Sequence, residues 1–109
     1  MSESIDFEAL LARDDDSLLE LLAEQTVLAA NRLDQETKRK LGQAWLDAQL
    51  ARLRELVCGD PVVERDRGAD DLVDTLAAVT DLVASVAGRL PAATVAVLLT
   101  RSGLDRLCA

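Results

Sequence analysis

Apolar residues recur along most of this 109-residue chain at three- and four-residue intervals, the spacing that lines one face of an α-helix. The clearest stretch spans 35–58. There Leu46, Leu50, Leu53 and Val57 follow one another at four, three and four, with Leu41, Trp45, Ala48 and Leu56 alongside. Lys40, Asp47 and Arg54 repeat every seven residues on the opposite face, so the pattern predicts an amphipathic helix. Over 71–87, Leu72, Leu76, Val79, Val83 and Val86 keep a similar rhythm while Asp74, Asp81 and Ser85 face outward, predicting another.

The stretch 16–33 is different, because apolar side chains cover most of its circumference. Leu18, Leu22, Ala29 and Leu33 form one stripe, and Leu19, Ala23 and Ala30 widen it. Leu21 and Leu28 extend it on the other side, leaving Glu20, Glu24 and Asn31 as a polar edge. A helix of this kind is either central in its own domain or covered by another chain. The run Ala92–Leu99 is uniformly apolar and partly β-branched, which suits a buried strand or a helix. No second strand is available to pair its backbone groups, so a helix over 91–101 is expected.

Punctuation agrees with these elements. Ser4 or Asp6 can open a short helix over 5–12, and Ser17 with Glu20 matches a capping box. Asp34 suits the start of the helix at 35, unless it runs on from 16–33 as one rod. Gly59 ends that helix, and Gly59 to Ala69 reads as the longest loop, with Asp70 or Asp71 opening the helix after it. Pro91 fits a first helical position, and Ser102 with Asp105 opens a last piece over 103–108. The expected fold is all-α: one domain over 1–109, a bundle of four main helices plus short terminal helical pieces.

Composition narrows the chemistry. Hydrophobic residues make up 50% of the chain but aromatic ones only 2%, so the core must be aliphatic. A net charge of −8 opposes phosphate backbones, and two aromatic residues cannot make a stacking row, which argues against nucleic acid. The longest uncharged run, Leu90 to Thr100, is far short of the roughly 20 residues that span a bilayer. An acidic start and only two cysteines, Cys58 and Cys108, give a reduced cytoplasmic compartment as the default; buried small hydrophobes are the expected state of both thiols, with a disulfide between them as the open alternative.

Histidine is absent, which removes Ser-His and Cys-His nucleophile pairs and His-containing zinc sites. Lys38 and Lys40 sit in a polar helix opening, where an amine stays solvated and protonated. Asp14-Asp15-Asp16 is accounted for by helix capping, and the acids from Glu64 to Asp70 are interleaved with arginines that oppose a cation. No catalytic, cofactor-binding or metal-binding residue is nominated, and no cofactor is expected.

The palette, rich in Ala, Leu, Val, Arg and Asp with scarce Lys, resembles that of a high-GC bacterium. In general style, six helical pieces in one short chain are similar to small helical adaptor modules of bacterial signalling and defence systems, including death-like domains. The helix at 35–58 is longer than death-like folds use, and no family residue is carried across. The leading expectation is a non-enzymatic interaction or adaptor module that self-associates or docks a partner protein, with Leu21 and Leu28 in the contact and Trp45 as its anchor. The alternative is a small-molecule-binding regulatory domain with an apolar pocket between the helices carrying Leu76–Val86 and Val95–Leu99. Acidic mimicry of nucleic acid ranks last.

Overall fold

A computed structural model describes residues 6–61 and 72–108 of the chain. Every regular element among them is helical: α1 (Phe7–Leu11), α2 (Asp15–Thr26), a 3₁₀ turn (Ala30–Arg32), α3 (Gln35–Cys58), α4 (Leu72–Ala87), α5 (Arg89–Ser102) and α6 (Leu104–Leu107). The all-α bundle expected from periodicity is the observed architecture. Of the loop expected over Gly59 to Ala69, the part after Pro61 with its charged run lies outside the described residues, as does the Asp70 or Asp71 cap.

Side-chain caps fix three of the starts. Asp6 accepts the Ala9 N–H at 3.1 Å, Asp14 the Ser17 N–H at 2.7 Å, and Asp34 the Thr37 N–H at 2.7 Å. The second cap corrects the expected Ser17–Glu20 box. Asp14 is the capping residue and Ser17 already lies in the first turn, where its hydroxyl accepts from Arg13 at 3.0 Å. Each cap satisfies one of the donors that a helix start leaves without an intrahelical partner.

The core is aliphatic. Leu18 and Leu22 of α2, Leu53 and Val57 of α3, and Leu76, Val79 and Val83 of α4 are all at most 1% exposed. They surround α5, which is buried continuously from Pro91 to Leu99. The central helix is therefore α5, not the apolar stretch at 16–33. α5 begins at Arg89, so Pro91 is its third residue rather than its first. A single residue, Gly88, joins α4 to α5 with φ 83° and ψ 164°, a backbone conformation that is nearly exclusive to glycine. Buried polar groups on this seam are satisfied: Thr94 donates to the Gln25 carboxamide oxygen at 2.8 Å and Thr80 to the Leu76 carbonyl at 2.6 Å.

Two further corrections concern α2 and the cysteines. The helix expected over 16–33 stops at Thr26. Val27 turns extended (φ −111°, ψ 125°) and Ala29 adopts φ 62°. A β-branched pair closes the helix here, with the Thr26 hydroxyl bonded back to the Leu22 carbonyl at 2.8 Å. α2 and α3 are thus separate helices, and they meet at Gly42. A β-carbon there would lie 2.9 Å from the Leu19 carbonyl carbon and closer still to its oxygen, so only glycine permits this approach. The cysteines, expected as free thiols, are paired: Cys58 at the end of α3 and Cys108 after α6 form a disulfide, with Cα atoms 5.4 Å apart. Nothing in their spacing of 50 residues announces the contact; it follows from α6 folding back onto α3.

Candidate functional site

Three elements converge on an open cleft of about 370 Å³. The end of α2 supplies Gln25 and Thr26, the middle of α3 supplies Trp45, Gln49 and Arg52, and the last turn of α4 supplies Val86 and Ala87. Trp45, Gln49 and Arg52 are spaced four and three apart, which sets them in one row on α3. Gln25 is held by the hydroxyl of buried Thr94, so one cleft wall is fixed from inside the core. Its lining combines the indole, Val86 and Ala87 with two carboxamides, a hydroxyl and a guanidinium.

Immediately beside the cleft the chain leaves α2. Leu28 is 98% exposed, while Leu33, at 39%, ends the same segment. Two peptide units separate Leu28 from Thr26 on the cleft wall, so their Cα atoms lie within about 7 Å. Left-handed backbone at Ala29 sets the turn in which Leu28 sits, and that conformation costs roughly 1–2 kcal/mol for a residue with a β-carbon. An exposed leucine therefore lies within two residues of the cleft lining.

The three residues expected to make contact fare differently. Leu28 is exposed because it lies beyond the helix, not on its second face. Trp45 is half-buried, packed against the core and facing the cleft. Leu21 is half-buried within α2 and does not line the cleft. Gln25, Thr26, Gln49 and Arg52 were not foreseen as site residues. The row Trp45–Gln49–Arg52 is legible in the α3 spacing, whereas Gln25 joins it only through the tertiary pairing with Thr94.

Several acidic residues serve as caps or ion-pair partners. Asp14 is a cap, Asp15 meets Arg101 at 3.2 Å, Asp16 meets Arg39 at 3.3 Å and Glu24 meets Lys38 at 2.7 Å. Arg101 also donates to the Leu11 carbonyl, tying the end of α1 and the start of α2 to α5. Asp34 has its carboxyl held below the ordinary range, first by the Thr37 side-chain hydrogen bond and then by the Thr37 N–H. Among the described residues no three metal-ligating side chains cluster, and no helix is long and apolar enough to cross a membrane.

The seam between α4 and α5, where an apolar pocket was expected, is filled by Leu76, Val79, Val83, Val95 and Ala96, all without exposed surface. A second cavity, about 300 Å³, lies instead between α3 and the α5–α6 end of the bundle, against Leu46, Leu50, Leu99 and Leu107 and flanked by Arg54 and Arg106. No family model, curated protein or solved structure matches the chain.

Proposed function

We propose that the chain is a non-enzymatic helical interaction module that self-associates or docks a partner protein, with a second copy of the chain as the first occupant of its contact surface. The observation that carries this reading is Leu28, 98% exposed and adjacent to the cleft walled by Trp45. A closed two-fold dimer needs a self-complementary patch, in which residue i of one copy meets residue j of the other and the reverse. An exposed leucine next to a cleft meets that requirement, since each Leu28 can enter the other copy's cleft against the indole and Val86. Burying a leucine that is otherwise solvated contributes about 1.5–3 kcal/mol, so two such insertions carry substantial affinity. The cytoplasm remains the proposed compartment.

Sedimentation velocity from low to high micromolar concentration tests this reading. A concentration-dependent dimer is expected, and Leu28→Ser, at a position too exposed to matter for folding, should weaken it by tenfold or more, about 1.4 kcal/mol. A monomer throughout removes self-association; a dimer indifferent to Leu28→Ser and to Trp45→Ala places the contact elsewhere.

A further inference from the structure

We propose that the Cys58–Cys108 pair is a reversible thiol–disulfide exchange site, taking a dithiol reductant as its substrate and acting as a clamp that holds or frees α6. Three observations carry this beyond a permanent staple. Both cysteines are only partly buried, at the end of α3 and just after α6, so the disulfide lies at the edge of the core rather than inside it. The bond closes over a peripheral piece: α6 has four residues, and Leu107 is its one described side chain in the core. The remainder of the core is built from α2, α3, α4 and α5.

The cavity beside the clamp sharpens the consequence. Leu107 forms one wall of it, opposite Leu46 and Leu50 of α3, and Arg54 lies one turn before Cys58 on the same side of α3. Release of α6 therefore withdraws Leu107 and uncovers apolar surface on α3 and α5, while a thiolate formed at Cys58 meets a neighbouring cation. In the exchange itself, one reductant thiolate attacks a cysteine sulfur and breaks the S–S bond, and the other cysteine leaves as thiolate and is protonated. The second reductant thiol then resolves the mixed disulfide. The chain gains two electrons and two protons, and the reductant becomes a cyclic disulfide.

Dithiothreitol is the probe, applied to the full chain under native conditions and followed by thiol alkylation and amide hydrogen exchange. The Arg106 and Leu107 N–H groups both bond the Gly103 carbonyl, at 3.1 Å each, and report directly on α6. Reduction without denaturant is expected to speed exchange at these two amides by about tenfold or more, with the α2–α4 amides unchanged and full reversal on reoxidation. The Cys58→Ser/Cys108→Ser double variant should match the reduced chain. Four results overturn the proposal: cysteines that never pair, a bond reducible only in denaturant, unchanged exchange at α6, or loss of the whole fold on reduction.

Discussion

Gly42 shows how one side chain, or its lack, sets how closely α2 and α3 approach. In a helix interior glycine costs roughly 1 kcal/mol relative to alanine, so propensity alone favours Gly42→Ala. The contact favours the opposite, because the added carbon meets the Leu19 backbone, which cannot turn aside as a side-chain tip can. Overpacking of this kind costs about 1–3 kcal/mol and more where backbone is involved, so a net loss of about 2 kcal/mol is expected in chemical denaturation. An alanine variant as stable as the parent would mean that α2 and α3 are not in this contact. Ala29 is the converse case, a residue with a β-carbon held where glycine would be easier. Its strain lies directly beside Leu28, where backbone cost accompanies an exposed apolar group.

At the scale of elements, α3 and α4 were legible because period and burial agree, whereas α5, uniformly apolar, was legible as a helix only because no second strand is available to pair with it. Leu53, Val57, Leu76, Val79 and Val83 are buried where the spacing sets them, and Lys40, Asp47 and Arg54 face outward. α2 was legible in its first half only. The apolar pattern continues through Leu33, yet the helix ends at Thr26, because a local β-branched break outweighs a pattern that favours continuation. The proposed contact surface was accordingly reached through Leu28 for an inexact reason, and the cleft depends on a three-element convergence that no local signal encodes.

The start of α3 yields a pH prediction at this same scale. Asp34 titrates below its unfolded value, so its contribution is complete above about pH 4 and is lost as pH falls through the lower folded value. Asn caps equally well without titrating, so Asp34→Asn should leave the thermal midpoint near neutrality unchanged and flatten its decline in acid. An acid limb as steep in the variant as in the parent would assign that loss to other carboxylates.

For the whole molecule, charge opposes the association that the apolar surface favours. Each copy carries −8, and a two-fold dimer brings both charges together over one interface. Repulsion between like-charged surfaces is screened over a Debye length of about 10 Å at 0.1 M salt, whereas burial of Leu28 does not depend on screening in this way. Added sodium chloride should therefore tighten the dimer, by several-fold between low salt and a few tenths molar, as read from sedimentation equilibrium. Contact made through ion pairs, such as Arg52 with an acid of the second copy, gives the opposite slope. The sign of the salt dependence separates the two modes, because the same −8 that keeps single copies apart cannot itself be the adhesive. Dissociation on adding salt would rule out the Leu28 insertion as the main source of affinity, even if a dimer exists.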